Sequence, residues 1–453
     1  MISLKETQND LTQGVIWKKL LAFFFPILLG LLFQQLYNTV DAVIIGRFCG
    51  SEALAAVGGS PAIITQTIIG FFTGLNSGAS VLVAQRAGAR DREGLTRTVR
   101  TAFLFCFAVG IAVTLFGYAI APGALRLIGN PEELMEDSTV YLRIYFFGSL
   151  PLLLFNLGQS TLQAVGDSRR PLYYLIVSCF LNIALDLLFV GVLQLRVAGV
   201  AWASVISMTV SAVLALLHLL RTKESHRLDL STLQPDRNIL RSILRIGVPA
   251  GLQGATYSLS NLIIQASVNS FGTVLVAAWT ATGKLDGLYW VTSSAFGVAI
   301  CSFVGQCWGA GLQDRMRQSV RICMGFSMVV TVALSFFLMS VARPAYGFFL
   351  DSEEVIDTAI QAMGYFVPYY FTWTFVEVMA GTFRGMGKTM VPMVINIFGV
   401  CVFRIAWTLL VVPRWHTLAA VSIVYLISWV LTGAAYAVVY FRDRKRNFGV
   451  REA

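Results

Sequence analysis

The segment LVAQRAGA at residues 82–89 recurs as FVGQCWGA at residues 303–310, so that Gln85 corresponds to Gln306. The same displacement relates Gly166 to Gly387 and Pro171 to Pro392. A single offset that holds all the way from Gln85 to Pro171 is hard to obtain by chance. It predicts that the chain contains two copies of one structural unit.

The composition decides the class of protein. Of the 453 residues, 56% are hydrophobic and only 13% are charged, about half the charged share of a soluble domain. With a mean hydropathy of +0.71, there is too little charge to cover a globular surface. The 32 Phe and 9 Trp exclude a disordered chain. The sequence predicts an all-α integral membrane protein, in which the seven Cys are interpreted as small core residues.

Apolar runs long enough to cross a bilayer occur twelve times, six in each copy. We predict spans near 17–45, 54–82, 97–121, 138–162, 171–193, 198–220, 245–270, 275–305, 318–342, 358–383, 391–412 and 416–441. Because six is even, both copies point the same way across the membrane, which predicts two pseudo-symmetric six-helix lobes. The predicted divisions are an N-terminal lobe at 1–220, a linker at 221–244 and a C-terminal lobe at 245–453.

Basic residues are divided unequally between the two sides. With the N-terminus inside, 26 of the 34 Lys and Arg fall on the cytoplasmic side and five on the other. This asymmetry is the positive-inside pattern. It predicts a multi-pass protein of the cytoplasmic (inner) membrane with both termini in the cytoplasm. It also accounts for the net charge of +10 without a nucleic-acid partner.

The N-terminal lobe carries two acids inside its spans, Asp41 and Asp186, whereas the C-terminal copy has apolar residues at the matching positions. A charge inside a membrane span is expensive and indicates a functional site. Both acids are expected in the outer half of their spans, where they form a pair that takes up a proton or holds a sodium ion. The alternative is that each acid merely bonds a neighbouring helix.

Helical spacing extends this site along two polar faces. Gln34, Tyr37 and Asn38 lie three, four or seven residues before Asp41 and share its face. Gln34 and Asn38 are candidates for lining a substrate cavity beside it. Asn182 lies four residues before Asp186. The candidate sodium ligands are therefore side-chain oxygens of Asp41, Asn182 and Asp186, and no resident metal or other cofactor is expected.

The C-terminal lobe has buried charges of its own: Lys284, Asp286, Glu377 and Arg404. Glu377 stands at the repeat partner of Asn156. One interpretation is an acidic lining for a cationic substrate, or a second coupling site, with Asn156, Asp286 and Glu377 as cavity residues. The other is a set of salt bridges that hold helices together. The sequence does not decide between them.

Two further patterns have structural explanations. GTFRGMGKT at 381–389 resembles a phosphate-binding loop, but its first Gly is one residue too far from the Lys and it follows a membrane span rather than a strand. No nucleotide is therefore expected. Gly70, Gly74 and Gly78 have the spacing of a close helix–helix contact.

The chain resembles the multidrug and toxic compound extrusion (MATE) family over nearly its whole length. The resemblance is carried by QQLYNTVDAVIIGR at 34–47, ALAAVGGS at 53–60, LVAQRAGARD at 82–91, LQAVGDSRRP at 162–171 and LNIALD at 181–186. It implies two six-helix lobes around a central cavity, exporting amphipathic and often cationic compounds in exchange for protons or sodium.

The resemblance is strongest to the DinF-like and archaeal branch. There an Asp on the first helix and an Asn/Asp pair on the fifth carry ion coupling, which implies Asp41, Asn182 and Asp186, with Tyr37 beside them. The NorM-like branch has a coupling acid on the seventh helix. Here Gln253 is the nearest polar residue, so this sequence departs from that pattern, and Gln253 is instead a candidate for lining the substrate cavity.

The sequence therefore predicts a cation-coupled antiporter, functional as a monomer, whose partners are small amphipathic or cationic substrates and membrane lipids. The alternative is a flippase of lipids or lipid-linked oligosaccharides, which shares the two-lobe plan and needs basic groups for phosphates. No nucleophile–base set points to an enzyme. The sequence does not identify the transported compound, and it does not decide whether the coupling ion is a proton or sodium.

Overall fold

The computed structural model describes residues 10–230, 234–350, 352–415 and 417–447. The predicted cytoplasmic termini lie outside these ranges. Within them the chain is helical and contains no strand. The α-helices are α1 Ile16–Gly58, α2 Ser60–Gly88, α3 Arg92–Ile128, α4 Met135–Phe147, α5 Ser149–Ala164, α6 Arg169–Asp186, α7 Arg196–Arg221, α8 Arg237–Asn269, α9 Thr273–Gly309, α10 Gln313–Phe349, α11 Glu353–Phe366, α12 Tyr370–Gly385, α13 Met390–Asn396, α14 Phe403–Leu410, α15 Val412–Trp415 and α16 Leu418–Asn447.

Each of the twelve predicted spans corresponds to one helix or to a broken run of helices. The fourth is α4 and α5, bent by 46°. The fifth is α6 continued by a π-helical segment, Leu187–Val192, and the eleventh runs from α13 to α15 through a second, Ile397–Val402. Among the described residues, nine helices and the α4–α5 pair are long and apolar enough to cross a membrane. The seventh and tenth spans, α8 and α11–α12, are helical but less apolar.

The glycine face of α2 packs directly on α8, which joins the two copies. A Cβ on Gly78 would lie 2.7 Å from the Gly247 backbone nitrogen, and one on Gly254 would lie 2.8 Å from the Gly70 carbonyl oxygen. Gly74 meets the backbone of Gly251 in the same way. The close contact predicted for Gly70, Gly74 and Gly78 is confirmed, and its partner is the other half of the chain.

The two copies of the repeated motif also contact each other. Gln85 Nε2 donates to the carbonyl oxygen of Gly385 at 3.0 Å, and Gln306 Nε2 donates to that of Ala164 at 2.8 Å. Both carbonyls end helices, α12 and α5, where no intrahelical donor remains. Since the repeat offset that relates Gln85 to Gln306 also relates Ala164 to Gly385, the two contacts are equivalent under the pseudo-two-fold axis. They close the end of the bundle that carries Arg86 and Arg315, here called the basic end.

Helix α1 belongs to two cores. Near its start, Leu20, Phe24 and Ile27 lie in the core of the second copy, and the Phe24 ring stacks on Phe296 with centroids 4.1 Å apart. Beyond the middle of the helix, Ile45 packs in a separate cluster with residues of α7 and the π-helical segment. One long helix therefore crosses from one lobe to the other.

Candidate functional site

Asp41 lies where α1 faces α6 and α7. The Tyr37 hydroxyl donates to Ser204 Oγ at 2.9 Å, and Ser204 Oγ lies 3.5 Å from Asp41 Oδ2. Asp186 lies in the last turn of α6, and its carboxyl group is within electrostatic range of the Asp41 carboxyl group. The structure therefore brings together three of the residues predicted for ion coupling. It adds Ser204, which the sequence reasoning missed.

Asn182 and Asp186 are both fully buried. They lie one turn apart on α6, and Asp186 immediately precedes the π-helical segment. Such departures from α-helical bonding are frequent at functional sites. The four predicted coupling residues, Tyr37, Asp41, Asn182 and Asp186, thus occupy one region of the first copy.

The cluster contains buried polar atoms that have no hydrogen-bond partner. They are Oδ1 of Asp41, Oδ1 and Nδ2 of Asn182, and both carboxyl oxygens of Asp186. Unsatisfied buried oxygens cost several kcal/mol unless they are protonated or bind a cation. Carboxylate and amide oxygens are ligands that hard cations prefer. The donor set therefore fits either a proton or a sodium ion.

Two tyrosines of α4 complete the surroundings. The rings of Tyr141 and Tyr145 stack with centroids 5.9 Å apart. Tyr141 lies within electrostatic reach of both Asp41 and Asp186, and Tyr145 within reach of Asp41. Sequence reasoning missed both, although their spacing of four residues places them on one helix face.

A small cavity of about 50 Å³ adjoins this cluster in the first copy. Gln34, Tyr37 and Asn156 line it, so the predicted cavity residues Gln34 and Asn156 meet there. Tyr37 faces this cavity and also bonds Ser204. A continuous chain of contacts therefore runs from the cavity through Tyr37 and Ser204 to Asp41.

A cavity of about 460 Å³ lies within the second copy. Asp286 lines it, as predicted for a cavity residue, and Arg404 lines it too. Asn38 is exposed on α1 and Gln253 is buried on α8, and neither lines the cavities described here. Their predicted substrate contact stays a prediction.

Glu377 is held in an ion pair. Its Oε1 accepts from Arg384 Nη2 at 2.8 Å, seven residues later on α12. Two interpretations of the C-terminal charges were open. In this structure Glu377 forms a salt bridge, and Asp286 lines a cavity. Among the described residues, no group of three or more His, Cys, Asp or Glu is arranged to hold a metal.

Twelve helical segments in two similar halves, with a cluster of buried acids beside one cavity and Asp286 lining another, are the plan of a two-lobed membrane transporter. The MatE family model matches residues 26–188 and again residues 249–410, one match in each half. The chain belongs to this family, the MATE transporters of multidrug resistance.

Relatives and solved structures agree with this assignment. The probable multidrug resistance protein YoeA of Bacillus subtilis is 29% identical over 392 residues, covering 85% of this chain and 84% of the relative. A MOP superfamily transporter from Pyrococcus furiosus superposes with a TM-score of 0.88 at 23% identity, covering 98% of each chain. An outward-facing multidrug resistance MATE transporter superposes with a TM-score of 0.89 at 23% identity, covering 98% of this chain and 99% of that transporter.

Proposed function

We propose that this protein exports amphipathic, often cationic compounds across the cytoplasmic membrane in exchange for protons or sodium ions, by alternating access. The observation that carries the proposal is the cluster of unpartnered buried oxygens on Asp41, Asn182 and Asp186. Most buried polar groups in proteins have a hydrogen-bond partner, and several unpartnered acid and amide oxygens in one cluster are explained by a bound proton or cation. The relatives are named as probable multidrug resistance proteins or as a multidrug export protein, which supports the substrate class.

The contacts between the cluster and the adjoining cavity support a coupling of ion binding to substrate binding. Tyr37 lines the cavity and donates to Ser204, which in turn reaches Asp41. When Asp41 or Asp186 takes up a cation, its charge is neutralised, and the hydrogen bonds of Ser204 and Tyr37 change with it. Binding of an ion at the cluster and binding of substrate beside Tyr37 then exclude each other through one short chain of side chains.

The orientation is part of the proposal. The basic end faces the cytoplasm, both termini are cytoplasmic, and the closed contacts of Gln85 and Gln306 belong to an outward-open state. Lobes that rock about this end expose the cavities alternately to the two sides. Because one chain contains both lobes, a monomer is the functional unit.

The alternative of a lipid or lipid-linked oligosaccharide flippase has one observation in its favour. Arg404 faces the 460 Å³ cavity with an unpartnered Nη2. It is, however, the one basic side chain among the residues that line the three cavities. A phosphate-bearing lipid calls for several such groups, so the antiporter is the better-supported function.

The test is uptake of the organic-cation dye rhodamine 123 into proteoliposomes, driven separately by a proton gradient and by a sodium gradient. We expect transport with at least one ion and its loss in Asp41→Asn, which removes the titratable group while keeping the shape of the side chain. The matched control is Glu52→Gln, an exposed carboxyl on the same helix, which should transport as wild type.

Either of two results would contradict the proposal. One is ion-driven uptake that is unchanged in Asp41→Asn. The other is the absence of uptake under both gradients from well-folded wild-type protein, which would favour the flippase.

A further inference from the structure

We propose that the cavity of the second copy is a separate binding site for aromatic zwitterions, flat organic molecules that carry one positive and one negative group. The site is distinct from the ion-coupling cluster, because its lining residues come from α8, α9, α11, α12, α14 and α16. Its volume of about 460 Å³ falls within the range of small-molecule sites.

The walls are aromatic. Four tryptophans line the cavity, at positions 279, 290, 373 and 429, together with three tyrosines and a phenylalanine. Trp290 lies with its ring centroid 5.6 Å from Trp373 and 6.3 Å from Trp429. Such walls favour a ligand with flat rings, since aromatic rings stack face to face or edge to face. They also stabilise a delocalised cation through cation–π contact.

Asp286 supplies the negative group of the site. Its side chain lines the cavity and is only 8% exposed, and its Oδ1 has no hydrogen-bond partner. A buried carboxylate oxygen without a partner is costly. A ligand cation placed against Oδ1 would remove that cost.

Arg404 supplies the positive group. It is 3% exposed, its Nε donates to Ser428 Oγ at 3.0 Å, and its guanidinium lies 4.2 Å from the centroid of the Tyr425 ring. These two contacts fix the plane of the guanidinium and leave Nη2 without a partner. A guanidinium held in this way is suited to receive a carboxylate.

The two charges face the same space without neutralising each other. Among the described residues, neither Asp286 nor Arg404 takes part in a salt bridge, although the Tyr425 ring lies within electrostatic reach of both. Two buried charges that served only stability would be expected to pair. The two side chains are not paired with each other, and each has an atom without a hydrogen-bond partner. They therefore match a ligand that carries both complementary charges.

Comparison of the two copies indicates that this cavity is a specialisation of the second one. The repeat offset relates Asp286, Trp290, Tyr370 and Trp373 to Thr65, Ile69, Ser149 and Leu152. The latter four line a cavity of about 10 Å³ in the first copy. At these four matched positions the first copy has small or aliphatic side chains and almost no free volume, whereas the second copy has an acid and three aromatic rings around an open cavity.

The biological use of the site rests on the proposed export function, but binding is measured without transport. Rhodamine 110 is a zwitterion with a free carboxylate, and rhodamine 123 is its methyl ester and a cation. We expect fluorescence anisotropy on protein in nanodiscs, with no ion gradient, to give tighter binding of rhodamine 110 by about tenfold, which corresponds to about 1.4 kcal/mol.

Three variants assign this preference to residues. Arg404→Gln should bring the affinity ratio of the two dyes close to one, mainly by weakening rhodamine 110. Asp286→Asn should weaken both dyes, because both carry the same cation. The control is Arg126→Gln, which removes a positive charge from the exposed end of α3 and should keep the wild-type ratio.

Equal affinities of the two dyes for wild-type protein, or an unchanged ratio in Arg404→Gln, would overturn the proposal. The wild-type ratio needs no variant, so the proposal can fail even where a substitution unfolds the protein. Failure of ion-driven uptake with the ratio intact would count against the antiporter alone. A ratio of one with ion-driven uptake intact would count against this site alone.

Discussion

His226 follows the end of α7, and the residue is only 3% exposed. Burial, with smaller contributions from His218 and Arg170, lowers the pKa of His226 from 6.5 to about 4. Its Nδ1 lies 3.5 Å from a carboxylate oxygen of Glu224. Between about pH 4 and pH 6.5, the imidazole is therefore neutral in the native state and protonated in the unfolded chain.

The sign of the pH dependence follows from the two pKa values. Between pH 6.5 and about 4 the unfolded segment binds more protons than the folded one, so stability falls as the pH falls. Above pH 6.5 His226 is neutral in both states, and protonation of this residue no longer lowers the free energy of unfolding. Across the window the loss is up to about 3 kcal/mol, since one pKa unit corresponds to about 1.4 kcal/mol.

We predict that amides of residues 222–230 lose hydrogen-exchange protection between pH 6.5 and 4, after correction for intrinsic exchange rates. His226→Gln, which is neutral throughout, should show a flatter profile. The same pH dependence in both proteins would mean that another group controls this segment.

The ion-coupling cluster shows how far single residues can be read from a sequence. Asp41, Asn182 and Asp186 were predictable because each is a polar group in an apolar span, at helical spacing from others. Ser204 and Tyr141 were not, because a serine or tyrosine in a span is unremarkable until its neighbour is known. The coupling role of the cluster itself stays a prediction until transport is measured.

At the scale of elements, the contact between α2 and α8 depends on glycine. A Cβ at Gly78 would meet backbone atoms of α8, with the Gly247 nitrogen 2.7 Å away, and backbone cannot rotate aside as a side chain can. We predict that Gly78→Ala lowers the thermal unfolding temperature, since overpacking costs about 1–3 kcal/mol.

The matched control is Gly325→Ala in α10, where an added Cβ would meet nothing within 4 Å. There the substitution should raise the unfolding temperature slightly, because Ala is favoured over Gly inside a helix by about 0.5–1 kcal/mol. Equal shifts for the two variants would show that the α2–α8 contact is looser than the structure indicates.

At the scale of the whole molecule, Gln85 and Gln306 each hold a helix end of the other copy. Since a net hydrogen bond contributes about 1 kcal/mol, losing both costs the closed basic end about 2 kcal/mol. We predict that the Gln85→Leu, Gln306→Leu double variant shifts the population toward an open basic end by roughly thirtyfold.

Spin labels introduced at Glu93→Cys and Asp314→Cys report this opening. These positions are exposed and related by the repeat offset, and the seven native cysteines are replaced first. The distance distribution should gain a longer component in the double variant. Gln361→Leu, at an exposed glutamine of α11, is the control. An unchanged distribution in the double variant would mean that other contacts keep the basic end closed.

The sequence by itself determined the membrane class, the twelve spans, the duplication and the polar faces that contain Asp41 and Asp186. These properties are recorded along the chain, as hydropathy, periodicity and an internal offset. They need no knowledge of which helix lies beside which.

Only the tertiary structure decided the partners. The sequence placed Gly78 and Gln85 on helices, but not against α8 and the end of α12. It left the C-terminal charges undecided, and the fold pairs Glu377 with Arg384 while Asp286 and Arg404 face an aromatic cavity. Helical periodicity tells which face of a helix is polar. Which group meets that face depends on how the two copies pack.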